Sequence, residues 1–164
     1  MDTSPWRYDR LSWPEMKAAI GRDPQPVVAI PIGAVEDHGP HLPIDTDLRI
    51  VDEICERVAE RAADRVVLLP AIPHGYDPHH MDFPGAITIG WDTFVRYCTD
   101  VGRSLAHHGF RRMLFLNGHG SNQNLVETAA RLVMVDRPEV LAATAFYLAS
   151  PRAFEVIDQV REWL

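Results

Sequence analysis

The chain has 164 residues, 46% hydrophobic and 24% charged, which fits one globular domain over its whole length and excludes a disordered or two-domain protein. Its formal charge is −7, and no basic run exceeds Arg111-Arg112, so nucleic acid is excluded as a partner. The N-terminus carries no apolar leader core, and the longest apolar stretch, residues 27–35, is far too short to span a bilayer; a cytoplasmic protein with no membrane partner is expected.

The first predicted element is a short helix at Ser12, where Ser-Trp-Pro-Glu forms a capping box with proline in the first turn. Residues 26–32 (PVVAIPI) then read as a strand. A polar segment with three glycine or proline residues leads into an amphipathic helix over 48–63, with Val51, Ile54, Val58 and Ala62 on its apolar stripe. Residues 66–72 (VVLLPAI) form the second predicted strand, and a polar, ring-rich stretch over 74–85 follows. The helix predicted over 93–107 has Phe94, Val95, Cys98, Val101 and Leu105 on one face, and it closes with His107 and His108 as C-terminal cations or cap residues before Gly109. A strand over 113–116 (MLFL) precedes a glycine-rich turn and a helix over 122–135. The strand over 140–148 comes last, before a helix opened by Ser150-Pro151 and continued by Ala153, Val156, Ile157, Val160 and Leu164.

The four strands are near-continuously apolar, as strands covered on both faces are. Their alternation with helices implies right-handed crossovers and a mostly parallel sheet in a three-layer α/β/α fold. Such sheets bind ligands at the carboxyl ends of their strands. Cys55 and Cys98 lack metal or redox spacing and read as reduced thiols on buried helix faces. The final helix stops at Trp163-Leu164 on its own apolar face without a C-cap, so either the end simply packs or the chain is cut short at its C-terminus or completed by something else.

Two segments at predicted strand ends carry the chemistry. The first places Glu36, Asp37, His38, His41, Asp45 and Asp47 within twelve positions, on a backbone stiffened by Gly39, Pro40 and Pro43. In extended chain Glu36 and His38 share a face, and a carboxylate beside an imidazole suits Zn²⁺, Mn²⁺ or Fe²⁺. Asp47, at a helix start, either binds metal or caps the helix. The second is Asn117-Gly-His-Gly-Ser-Asn122, whose glycines allow a sharp turn that brings His119 to the same sheet edge. His119 is a ligand there or a structural hydrogen-bonder. In the stretch over 74–85, His79 and His80 read equally as ligands, as partners behind the ligands or as donors to a substrate. No GxGxxG or Walker turn is present, which ranks a nucleotide-binding module low.

At these residues the sequence resembles the creatininase (creatinine amidohydrolase) family. Residues 31–47 (PIGAVEDHGPHLPIDTD) resemble its first signature, 79–88 (HHMDFPGAIT) its middle motif and 117–122 (NGHGSN) its third. The resemblance implies an α/β/α fold, a homo-oligomer (a hexamer by family likeness) and a site for two divalent metals, Zn, Mn or Fe. It implies hydrolysis of an amide or cyclic-amide C–N bond in a small polar molecule by a metal-activated water. Carried over, Glu36, Asp47 and His119 hold one metal, and His38 holds the second with Asp47 bridging. His80 and Asn122 are candidates for contact with substrate or support of the ligands. Ser121 stands where creatininase itself has a glutamate for the second metal, and the likeness covers about two-thirds of a family member. Substrate, general acid and the missing carboxylate are therefore open, and the alternative is a catalytically incomplete fragment or non-enzymatic subunit of the same fold.

Overall fold

A computed structural model describes residues 4–150, together with 152, 153 and 155. Four parallel strands form one sheet: β1 (Val27–Ile32), β2 (Val66–Leu68), β3 (Arg112–Asn117) and β4 (Leu141–Phe146), in the order β2-β1-β3-β4. Among the fully described elements four α-helices flank it: α1 (Trp13–Ile20), α2 (Thr46–Arg61), α3 (Trp91–His108) and α4 (Gln123–Asp136). The capping box that opens α1 is formed, with Glu15 accepting from the Ser12 backbone N–H at 2.8 Å.

Side-chain alternation along β1 divides the interior in two. Val28, Ile30 and Ile32 point to one face, where they meet Phe94, Cys98, Phe110, Phe115, Val126 and Val133 of α3, α4 and their neighbours. Ala29 points to the other face, against Cys55 and Ala59 of α2 and Leu68 of β2. The three-layer α/β/α architecture is thus the observed one. Both cysteines are buried and unpaired, and burial pushes both thiols up to about 12.

Three expectations are refined. The strand over 66–72 ends at Leu68, because Pro70 has no N–H to donate; pairing resumes where Ile72 N–H bonds Pro31 C=O at 2.9 Å. The strand over 140–148 ends at Phe146, where a 3-10 turn, Tyr147–Ala149, takes over. Coverage on both faces fails at β4: α2 packs on β1, β2 and β3, and Leu141 on that side is 63% exposed. The helix predicted from Ser150 begins as expected, with Ala153 N–H bonding Ser150 C=O at 3.0 Å, and its remainder lies outside the described residues.

The strand order matters for ligand binding. From β1 the chain crosses to β2 on one side, then back over β1 to β3 on the other. The β1/β3 junction is where the direction of winding reverses, and the loops leaving those two strands part to open a crevice.

Candidate metal centre

The loop after β1 carries Glu36 and His38 to that crevice, the first turn of α2 carries Asp47, and the loop after β3 carries His119. Each is held by local chemistry. Glu36 N–H bonds Ile44 C=O at 2.9 Å, which closes the first segment into a rigid loop. Asp47 is not spent on capping: Oδ1 lies 3.1 Å from His38 Nε2 and Oδ2 lies 3.0 Å from His119 Nδ1. His119 Nδ1 is also 2.8 Å from Glu36 Oε1. Glu36 and His38 do share a face, with 3.7 Å between Oε1 and Nε2.

Two more side chains set this geometry: Asn117, to which sequence reasoning gave no role, and Asn122, which it offered for contact with substrate or support of the ligands. Asn117 ends β3 and grips the turn from both sides, accepting from His119 N–H at 3.1 Å and donating to His119 C=O at 2.7 Å. Asn122 is fully buried, donates to Gly33 C=O at 3.1 Å and accepts from Tyr76 N–H at 2.9 Å, so it ties all three loops together. The approach is so close that a Cβ on Gly75 would meet the Asn122 amide at 2.5 Å, and one on Gly118 would meet Asp47 C=O at 3.0 Å. Glycine is required at both for packing, not for an unusual backbone angle.

The middle loop supplies a third carboxylate. Its return limb pairs with the first loop through Ile87 N–H to Val35 C=O at 3.0 Å. This lays the 3-10 turn Pro78–His80 across the crevice. Asp77 is 0% exposed, and its Oδ1 lies 2.8 Å from His80 Nδ1, 3.3 Å from His79 Nδ1 and 3.6 Å from His119 Nε2. His80 Nδ1 is also 2.6 Å from Glu36 Oε2. The sequence offered one signal for Asp77, an acid three residues before His80 in a ring-rich loop, but an Asp-Pro pair also reads as a turn.

Burial and charge are in tension here. Burial raises the Glu36 carboxyl, against the lowering effect of His119. Burial would raise Asp47 too, but hydrogen bonding to His119 overrides it and Asp47 is lowered. Burial disfavours a charged His119, yet contacts with Asp47 and Glu36 carry it up to about 10. His80 is raised through its hydrogen bond to Asp77. Tyr147, beyond β4, is raised by burial and by the charge on Asp47.

Asp77 Oδ2 and His119 Nε2 are buried without a hydrogen-bond partner. Buried polar atoms are rarely left so, and three carboxylates facing histidines is the donor set of a divalent cation. Two groups have donor atoms that all lie within 4.8 Å of one another: Glu36, His38 and Asp47, and Glu36, Asp77, His79 and His80. A separate cavity of about 770 Å³, lined by Tyr8, Trp13, Met16, Ile20 and His108, lies along α1 and holds no carboxylate.

Fold and site together define a parallel α/β domain with a buried carboxylate–imidazole cluster, of a composition suited to metal, at its switch point. Residues 9–162 match the creatininase family, described as creatinine amidohydrolase, and the chain belongs to that family. It is 36% identical over 119 residues to a mycofactocin precursor peptide peptidase of Mycobacterium tuberculosis, covering 68% of this chain and 47% of that one. It is 31% identical over 121 residues to a creatinine amidohydrolase of Pseudomonas putida, covering 71% and 45%. Among solved structures, a mutant creatininase superposes with a TM-score of 0.85 at 26% identity, covering 97% of this chain and 65% of that one. A Zn-Zn form of a creatininase mutant and a manganese creatininase match with TM-scores of 0.82 and 0.83, each at 26% identity; they cover 93% and 94% of this chain and 62% and 63% of those. The chain spans about half the length of the curated relatives it matches. No helix among the described residues is long and apolar enough to cross a membrane.

Proposed function

We propose that the protein hydrolyses a C–N bond, amide or cyclic amide, in a small polar substrate with the help of bound divalent metal, Zn, Mn or Fe, two ions per site. The observation that carries this reading is the cluster itself: Glu36, Asp47 and His119 are buried against one another at the switch point, and His119 Nε2 and the neighbouring Asp77 Oδ2 have no hydrogen-bond partner. Relatives named as an amidohydrolase, a peptidase and a deformylase support the reaction class.

In this reading Glu36, Asp47 and His119 hold one ion, and His38 stands ready on Asp47 for another. When bound, such an ion supplies Lewis-acid polarisation of a carbonyl oxygen and lowers the pKa of water. The chain's own residues supply the rest. Asn117 fixes the His119 ring by holding its backbone on both sides. Asn122, whose amide is occupied by Gly33 and Tyr76, is assigned a positioning role for the three loops. His80, partly exposed on the middle loop beside Glu36 and Asp77, is assigned to contact with substrate. A homo-oligomer is also proposed, supported by the exposed Met81, Phe83 and Ile87 of that loop, and light scattering on the purified protein reads its size.

The test is to strip the protein with a chelator, reload it with Zn²⁺, Mn²⁺ or Fe²⁺, and assay a cyclic amide, a formamide and a short peptide. Cleavage of at least one that is lost on stripping and restored by metal is expected. Cleavage indifferent to chelation, or none in any loaded form, would refute the proposal.

A further inference from the structure

We infer that the cavity along α1 is a binding site for a small aromatic carboxylate, separate from the β1/β3 crevice and independent of the reading given for it. Helix α1 ends at Ile20 ahead of β1, and α3 ends at His108 ahead of β3. The cavity that both helices line therefore sits at the amino ends of the strands, the sheet edge opposite the crevice.

Its walls are set by the fold. Tyr8, Met16 and Ile20 lean on the main apolar core and each stays partly open. Gln25 ties the two helix ends together, donating to Ile20 C=O and Gly109 C=O, both at 3.0 Å, and accepting from Arg111 N–H at 2.7 Å. The same clamp occupies terminal carbonyls that would otherwise repel an anion. A largely apolar cavity of about 770 Å³ is in the range that holds a small organic molecule. Trp13 lines it and is still 78% exposed, an indole face that a flat guest would cover.

The polar groups on the lining choose the charge of that guest. They are the Lys17 ammonium, the His108 imidazole, the Tyr8 phenol and the Trp13 indole N–H, each able to donate, with no carboxylate or amide side chain among them. None of the four has a side-chain hydrogen bond or ion pair among the described residues. Burial raises the Tyr8 phenol, so it stays a donor at neutral pH. Glu15, the nearest acid in sequence, does not line the cavity and accepts from Ser12 N–H at 2.8 Å. In a chain of net charge −7, an acid-free cavity with two basic side chains runs against the prevailing field and selects an anion. An aromatic ring against Trp13, Met16 and Ile20, with its carboxylate at Lys17 and His108, meets both demands. A neutral hydrocarbon leaves the donors unused, and inorganic phosphate leaves the apolar walls wet.

Equilibrium dialysis of the full chain against 2-naphthoate, with uncharged 2-naphthamide as its counterpart, tests the inference in wild type, Trp13→Ala and Lys17→Gln, with and without EDTA. Both side chains are exposed, so both variants are expected to fold, as circular dichroism would show. Saturable naphthoate binding is expected, with half-saturation below about 1 mM. Naphthamide should bind at least about threefold more weakly. Trp13→Ala should weaken naphthoate about tenfold and Lys17→Gln about threefold, with EDTA making no difference. No saturable binding, equal affinity for acid and amide, or binding that both variants leave unchanged would overturn the inference. Binding lost with EDTA would overturn it too, by placing the ligand at the crevice. Light scattering reads the other occupant: a wild type that binds no naphthoate and is a larger oligomer than Trp13→Ala would give this face to a second copy of the chain and overturn the inference.

Discussion

Two sets of acidic side chains in this molecule have opposite kinds of company. On the surface Asp136 is met by the Arg103 guanidinium at 2.7 Å, Glu53 by Arg57 at 2.7 Å and Asp45 by Arg49 at 2.8 Å. At the β1/β3 crevice Glu36, Asp47 and Asp77 are buried, where charge is hardest to keep, and only imidazoles face them. The exposed acids have water available and still pair with arginine; the buried ones have neither. An arginine would have neutralised the cluster permanently. Imidazole can give up its proton and become a ligand, so the proposed centre exchanges protons for a cation.

The largest expected effect lies behind the site. Phe115→Ala, in the fully buried interior between β3 and the helices, is expected to cost about 3–5 kcal/mol in denaturant unfolding. Its metal stoichiometry per folded chain should be unchanged, and a lost ion in folded Phe115→Ala would show that core and crevice are not separate. Next come the ligands: Glu36→Ala and His119→Ala should each weaken metal binding about 100-fold or more, near 2.7 kcal/mol, with the fold retained. A variant of either that binds metal normally would break the contrast between the two sets of acids. Arg103→Ala removes only a surface pair and is expected to cost about 1 kcal/mol or less, with full metal content.

The smallest effect at neutral pH concerns the thiols. Cys55 and Cys98 are raised from 9.0 to about 12 by burial, so both are protonated and resist alkylation in the folded chain. Because the folded value is the higher one, their contribution is whole below pH 9 and is lost as pH rises towards 12. Cys98→Ala should therefore show a shallower alkaline loss of stability than wild type, as followed by circular dichroism. Equal slopes would contradict the assignment.

The parts of this fold that the sequence made legible are those governed by short-range pattern. Strands β1 and β3 announced themselves through continuous apolar runs, and α2, α3 and α4 through stripes at helical spacing. The ends were harder, since Pro70 interrupts a run that hydrophobicity alone would continue. At the site, Glu36, His38, Asp47 and His119 stood in motifs whose stiffness and residue types already pointed to metal. Asp77 did not, because its neighbours in space come from three loops and its neighbours in sequence make it look like a turn residue. Asn122 stood in a motif, but its work of joining Gly33 to Tyr76 depends on partners 89 and 46 residues away.

The central claim is that the buried acids at the β1/β3 crevice form a divalent-cation centre. Elemental mass spectrometry of freshly purified, dialysed protein measures it directly. About two equivalents of zinc, manganese or iron per chain is the predicted result. Protein that is folded by circular dichroism yet retains none of these metals, even after loading and dialysis, would contradict it.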